Sequence, residues 1–446
     1  MKYYTLCLLF LYIVIGCHCE VKNTVHLFGQ LKDMGTQEVL MRYDGTASMI
    51  GDSRNVILRT DTEGRFDTLL PLERSEFYSI SRNTLYLSPG DDIEVVITQN
   101  NQEAQFKGKG AEANIYMKDR LFPKGGSYLE GGANVKENFR QTRQVIERLA
   151  EIREEQLANL KGVSTEFKEL ERARIYADVI NSYFYYNSYA LEYKGKSQEE
   201  IREAERRNLL EVVPSINEKV KYLNDDRFLN VAVVRNILFY REDPAYEVCL
   251  KNYKQTRRSY ELYEGYKRVS ALRQNLNQKV VDDIRAYIEE MSQVDFAIEL
   301  KTKLNQAARL LSGQLAPDFV MIDTAGNRKL LSDFKGEIIY MDLWATWCGP
   351  CIQESPAFTK LSKKYPSIRF LQISRDEQKE SWLSYLKHKS HTLPQYNSVD
   401  TRLIEGWQLF YIPRFILIDK EQKIINAYAP RPSSDEIIPL LDSLSH

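Results

Sequence analysis

Cysteine is scarce outside the first twenty residues. Six occur in 446 residues: Cys7, Cys17 and Cys19 lie at the N-terminus, and the body holds only Cys249, Cys348 and Cys351. A body so poor in cysteine is not a disulfide-stapled scaffold, so its one close pair points to chemistry rather than cross-linking. Charge of either sign is not in excess either. Lys and Arg number 61 against 62 Asp and Glu, a formal net charge of −1, so no nucleic-acid partner is expected. Beyond the N-terminus there is no run of about 18 apolar residues, so no further membrane span is expected. No second Cys-x-x-Cys and no His-x-His spacing occur, so no metal centre is expected, and nothing calls for a cofactor. What is present is a globular balance, 43% hydrophobic and 28% charged, in a chain long enough for two to three domains.

The N-terminus has the grammar of a targeting segment. Lys2 supplies a positive charge, an apolar run extends from Tyr3 to Gly16, and the chain turns polar at Glu20. The run is short for a bilayer span and suits a signal peptide over residues 1–19. Val14-Ile15-Gly16-Cys17 resembles a bacterial lipobox, which makes Cys17 a lipidation candidate and implies a lipid anchor in the membrane. The other reading is simple cleavage after Cys19. Either way the expected location is the bacterial periplasm or cell envelope.

Three regions follow, a multidomain layout. Residues 22–110 read as a β-sandwich-like domain, with strands expected at Val25–Leu31, Val39–Tyr43, Val56–Leu58, Phe77–Ile80, Leu85–Leu87 and Ile93–Ile97. Turn signals such as Asp61-Thr62-Glu63-Gly64 and Pro89-Gly90-Asp91-Asp92 separate them. The glycine-rich stretch Phe122–Gly132 matches no phosphate-cradling spacing and reads as a linker. Residues 111–312 form an α-helical middle region. Glycine and proline are scarce there, and Phe139, Ile146, Leu149 and Ile152 recur at helical spacing, so six or seven helices are expected. Tyr183, Phe184, Tyr185, Tyr186 and Tyr189 read as core, with a ligand groove as the rival, and Cys249 as a buried, inert thiol. Residues 313–446 switch to alternating strands and helices. Strands are expected at Ile338–Leu343 and Ile368–Ile373, with a helix at Ala357–Tyr365. A hairpin at Phe415–Ile418 and Ile424–Tyr428 and a helix at Asp435–Leu444 complete a three-layer α/β arrangement. His388 and His391 fall in no motif and read as surface residues.

The chemistry concentrates in Trp344-Ala345-Thr346-Trp347-Cys348-Gly349-Pro350-Cys351, which follows a buried strand and opens a helix. Two cysteines three apart at a helix start can close a small disulfide. The first is expected to face solvent, where the positive end of the helix dipole favours its thiolate. That makes Cys348 the attacking sulfur and Cys351, one turn in, the less exposed resolving sulfur. The rival reading, half of a zinc site, lacks its other two ligands.

At these residues the chain resembles thioredoxin, and more closely the envelope-facing thioredoxin-like thiol–disulfide oxidoreductases of the TlpA/ResA type in the AhpC/TSA-redoxin superfamily. The likeness covers roughly residues 313–446. Gly313-Gln314-Leu315-Ala316-Pro317-Asp318-Phe319 is similar to that family's opening segment, and Leu331-Ser332-Asp333-Phe334-Lys335-Gly336 to the stretch before its central strand. Cys351-Ile352-Gln353-Glu354-Ser355-Pro356 resembles its C-x-x-E-x-P continuation, and Ile412-Pro413 followed by Arg414–Asp419 its cis-proline loop and next strand. The resemblance implies a thioredoxin fold and a disulfide reductase acting on protein or small-molecule disulfides. It implies that Cys348–Cys351 is the redox disulfide and Pro413 a cis-proline. Asp342 would be the buried acid that shuttles a proton to Cys351, and Glu354 an acid that tunes the thiols. Trp347, Gly349, Pro350, Ile412, Pro413 and Arg414 would border the substrate groove. Arg414 stands where thioredoxin has threonine, and its charge would favour an acidic substrate or stabilise a thiolate. The turn Asp419-Lys420-Glu421-Gln422 lacks the usual glycine, which predicts a different turn type.

An exported reductase needs electrons from across the membrane, so a membrane thiol transporter is the expected reductant. Two other functions stay open at this point. One is a thiol peroxidase, although Cys348 lacks the Pro-x-x-x-Thr-x-x-Cys context. The other is a surface binding or scaffold protein, in which the first two domains recognise a partner and the redox domain is accessory.

Overall fold

The computed structural model describes residues 23–119, 126–389 and 392–445. The leader reading, Cys17 included, and His391 lie outside them. The chain folds as two compact units, one from the residues up to Thr46 with Arg54–Lys254, the other from Ala47–Ser53 with Gln255 onward. The second unit therefore combines the last three long helices of the middle region with the C-terminal sheet.

The first unit opens with eight strands in two four-stranded sheets. In one sheet Thr24–Leu31 lies antiparallel to Arg65–Pro71 and parallel to Asp92–Ile97, which pairs with the edge strand Gln105–Lys109. The other runs Val56–Arg59, Glu38–Tyr43, Glu76–Ile80, Asn83–Leu87, antiparallel throughout. Alternation places Val25, Leu27 and Leu31 inside, the period-2 signature of a sheet with one buried face. Two strands carry little signal in the sequence. Arg65–Pro71 buries Phe66 and Leu70 but exposes Leu69, and Gln105–Lys109 buries only Phe106.

The long helices Phe139–Asn159, Thr165–Tyr185 and Gln198–Tyr222 follow. Each starts where a side-chain oxygen of Asn138, Ser164 or Ser197 accepts a backbone N–H of the first turn. Ser197 and Glu200 complete a capping box. The linker expected at Phe122–Gly132 is corrected over its described part. Tyr128 and Leu129 are fully buried, and the Tyr128 N–H donates to Ser182 at 2.7 Å. The glycines there allow a tight turn, Gly131 and Gly132 taking positive φ, while Tyr128 and Leu129 ahead of it anchor the core. The aromatic cluster divides: Tyr183, Phe184 and Tyr186 are buried, whereas Tyr185 and Tyr189 are exposed. Cys249 is a free thiol in the core, and burial pushes its pKa up to about 11, which keeps it protonated and unreactive.

The second unit holds helices Arg257–Gln274, Gln278–Glu290 and Val294–Ala308, then a seven-stranded mixed sheet. Its strand order is Arg328–Leu330, Val320–Asp323, Gln395–Asn397, Ile368–Ser374, Ile338–Trp344, Arg414–Ile418, Ile424–Asn426. The central strand Ile338–Trp344 is buried along nearly its whole length, parallel to Ile368–Ser374 and antiparallel to Arg414–Ile418. Apolar clusters cover both faces, one around Met341, Leu343 and Trp407, the other around Tyr340, Phe358 and Phe415. This is the continuous apolar run of a central strand in a three-layer fold. In the hairpin turn Gln422 takes φ 63°, the left-handed conformation usually left to glycine. No helix among the described residues is long and apolar enough to cross a membrane.

Candidate active site

The central strand ends at Trp344, and helix Gly349–Lys364 begins five residues later. The intervening loop is held by Asp376 at the end of the neighbouring strand. Its carboxylate accepts the Thr346 N–H at 3.0 Å, the Thr346 hydroxyl at 2.7 Å and the Ser374 hydroxyl at 2.6 Å. Cys348 caps the helix, and its sulfur accepts the backbone N–H of Cys351 at 3.2 Å. Pro350 occupies the first turn, where its missing N–H costs nothing. Cys348 and Cys351 form a disulfide, with Cα atoms 5.3 Å apart.

One expectation is corrected here. Cys348 does not stand out into solvent: it is 5% exposed, against 1% for Cys351. The disulfide packs into a small apolar cluster with Trp344, Ala345, Trp382 and Ile412, which leaves only an edge of Cys348 open. Trp347, by contrast, is 71% exposed. The Ile412–Pro413 peptide is cis, and Ile412 joins the disulfide cluster, so the loop before Pro413 borders the pair.

Asp342 is wholly buried, two residues before the end of the central strand. Burial pushes its carboxyl up to about 7, against a smaller lowering by a hydrogen bond from Gln372. The Gln372 amide donates to Asp342 Oδ2 at 3.1 Å, and Gln395 donates in turn to Gln372 Oε1 at 2.7 Å. Oδ1 has no hydrogen-bond partner among the described residues. A cavity of about 20 Å³ lies between Asp342, Cys351, Ser355, Gln372 and Tyr385. That volume holds one water molecule, enough to link the free carboxyl oxygen to the inner sulfur.

Glu354 and Arg414 sit differently from the roles implied for them. The Glu354 carboxylate accepts the Ser433 N–H at 3.1 Å and hydroxyl at 2.9 Å, so its direct contacts hold the segment before the last helix. Its charge does act on Asp342, as a minor cause of the raised carboxyl. Arg414 is buried, donates to the Ala427 carbonyl at 2.7 Å and stacks 3.4 Å from the Tyr428 ring centre. Sequence reasoning missed Gln372, Asp376, Trp382 and Gln395. A signal existed for two of them. In Phe370-Leu371-Gln372-Ile373-Ser374-Arg375-Asp376 polar residues alternate toward the carboxyl end of a parallel strand, where α/β sheets build sites. Among the described residues no group of acids, histidines and cysteines has metal-ligand geometry.

The AhpC/TSA family model matches residues 312–428. This segment is an AhpC/TSA-family domain. It is 27% identical over 127 residues to the thiol-disulfide oxidoreductase ResA of Bacillus cereus, covering 28% of this chain and 73% of that protein. Over 115 residues it is 30% identical to ResA of Bacillus subtilis, covering 25% of this chain and 64% of that one. A crystal structure from Bacteroides vulgatus, described as a candidate thiol-disulfide oxidoreductase, shares 59% identity. The match covers 30% of this chain and 98% of that one, with a TM-score of 0.30. With a disulfide at the head of a helix and relatives of this kind, the AhpC/TSA domain is that of a protein-disulfide oxidoreductase.

Proposed function

We propose that the protein is an exported disulfide reductase that works through the Cys348/Cys351 dithiol. The observation that carries this reading is the pairing of a helix-capping sulfur with a buried, protonatable acid beside its partner sulfur. In the reduced state the Cys351 N–H and the helix dipole favour a thiolate at Cys348. That thiolate attacks a substrate disulfide, forms a mixed disulfide and releases the first substrate thiolate. Asp342 then accepts the Cys351 proton, through one water in the intervening cavity, and the Cys351 thiolate attacks Cys348 Sγ. This closes the internal disulfide and expels the second substrate thiolate. Asp342 near pH 7 is suited to accept and return a proton in each cycle.

Pro413 and the residues beside it shape the groove in which extended substrate backbone lies, and the exposed Trp347 next to Cys348 adds apolar surface. Glu354 acts at one remove, through the Ser433 segment and the field at Asp342. The Gly349-Pro350 pair between the cysteines is the one found in thioredoxin, which supports a reducing rather than an oxidising role. Export rests on the N-terminal leader, cut before Cys17, and lipidation of Cys17 anchors the chain to the envelope membrane. Electrons then come from a membrane thiol transporter.

Two measurements test the proposal. Reduced protein should reduce insulin disulfides, and Cys348→Ser should abolish this, so a full-rate Cys348→Ser variant sinks the assignment. The couple should also lie near the thioredoxin value of about −270 mV, and a value near about −120 mV would make the protein an oxidase instead.

A further inference from the structure

The loop before the cis-proline combines exposed aromatic surface with neighbouring positive charge. Phe410 and Tyr411 are each 47% exposed, and through Ile412 they stand next to the disulfide cluster. Both are held from the helix Arg257–Gln274, an element outside the AhpC/TSA match. The Tyr411 hydroxyl donates to the Arg273 carbonyl at 2.9 Å, and the Arg273 guanidinium lies 4.4 Å from the Phe410 ring centre. Burial pushes the Tyr411 hydroxyl up, and the positive charges of Arg414, Arg273 and Arg431 each oppose that rise in part. Among the described residues neither Arg273 nor Arg414 has a carboxylate partner. Arg431 is paired with Glu354 at 3.8 Å, and its exposed guanidinium keeps donors free for a second carboxylate. Lys303, 5.5 Å from the Phe410 ring, is by contrast paired with Asp52 at 2.5 Å.

We propose that this surface is the docking site for the substrate segment next to its cysteine. The segment it fits is extended and acidic, with its backbone along Ile412–Pro413 and its carboxylate facing Arg273 and Arg431. Phe410 and Tyr411 supply the apolar contact, and the arginines select by charge. Arg414 lies behind the loop and adds to the field without reaching the substrate. The inference rests on the reductase reading and specifies its substrate. It also gives the helix Arg257–Gln274 a part in recognition, since that helix both orients the loop and brings Arg273.

The test uses the full chain and two disulfide-linked peptides, identical except that Asp or Lys flanks the cysteine. The acidic peptide should be reduced with a kcat/KM about tenfold higher, and the ratio should shrink at high salt because the charges are near the surface. The double variant Arg273→Gln/Arg431→Gln should lose the preference while keeping the wild-type rate on the small neutral disulfide 4,4′-dithiodipyridine. The single variant Arg431→Gln, at an exposed position, should lose part of it and serves if the double variant fails to fold. Equal rates on the two peptides, a preference for lysine, or a preference that survives both substitutions overturns the proposal. Wild-type protein inactive on dithiodipyridine and on both peptides would instead overturn the reductase reading.

Discussion

Asp178 in the first unit and Asp342 in the second are both buried carboxylates, and their surroundings treat them in opposite ways. In the first unit Glu171 and Asp178 are buried beside buried arginines. Arg153 bonds Asp178 and lies 3.8 Å from Glu171, while Arg174 reaches Glu171 at 2.7 Å. Arg153 also donates to the Tyr128 hydroxyl at 3.1 Å, and its own pKa is pushed up by these acids against the cost of burial. In the second unit Asp342 is as deeply buried but meets only an amide. A buried charge with a fixed counter-charge is a structural group that does not titrate near neutrality. A buried acid with only a dipolar partner stays close to the balance between its two protonation states. That contrast separates a site that holds the fold from one that can move a proton.

The contrast breaks most visibly at Arg153. Arg153→Met strands the buried Asp178 carboxylate, while Glu171 keeps Arg174, and should cost about 3–5 kcal/mol in the first unit. Thermal unfolding followed by circular dichroism measures this, and the potential of the Cys348/Cys351 couple should stay where it was. A loss that disappears at high pH would mean that the network is not a fixed charge pair.

Asp342→Asn should act with the opposite sign. The folded-state pKa of Asp342, about 7, is above its unfolded value, so wild type binds more protons when folded and loses stability as pH rises from about 4 to 7. The amide does not pay this ionisation cost. The variant should therefore be more stable by roughly 4 kcal/mol at pH 9 and nearly equal at pH 4. It should also slow reduction by about a hundredfold near neutral pH, the contribution expected of a positioned base. An unchanged stability difference across that range would show that Asp342 is not desolvated.

The smallest effect sharpens the comparison. Gln372→Leu removes the one hydrogen bond that favours the Asp342 carboxylate, so the midpoint of that pH-dependent stability difference should rise by about half to one unit. A pair of variants, Gln372→Leu with and without Asp342→Asn, isolates the effect. A midpoint that stays put assigns the amide no part in setting the acid.

How much of this was readable in advance depended on the range of the interaction. Strands such as Ile338–Trp344 and Thr24–Leu31 announce themselves through local apolar runs or alternation, and the redox helix through its strand–loop–Cys-x-x-Cys grammar. Edge strands such as Gln105–Lys109 bury too little to leave a pattern. Tyr128 was hidden because glycines mark a turn but do not reveal that the residues before it are core. Gln395 cannot be linked to Asp342 from sequence, because the two lie on different strands and are joined only through Gln372. The exposure of Cys348 was misjudged for the same reason, since Trp382 and Ile412, which cover the pair, come from elsewhere in the chain.

The sequence by itself determined the kind of chemistry and where in the chain its sulfur pair sits. A cysteine pair three apart at a helix start places one sulfur in reach of free N–H groups, and that geometry is local. Only the tertiary structure decided what surrounds the pair: the amide chain behind Asp342, the water-sized cavity before Cys351, and the Arg273 guanidinium against Phe410 in the loop before the cis-proline. Each of these depends on strands and helices far apart in the chain coming together, because desolvation and charge act through space rather than along sequence.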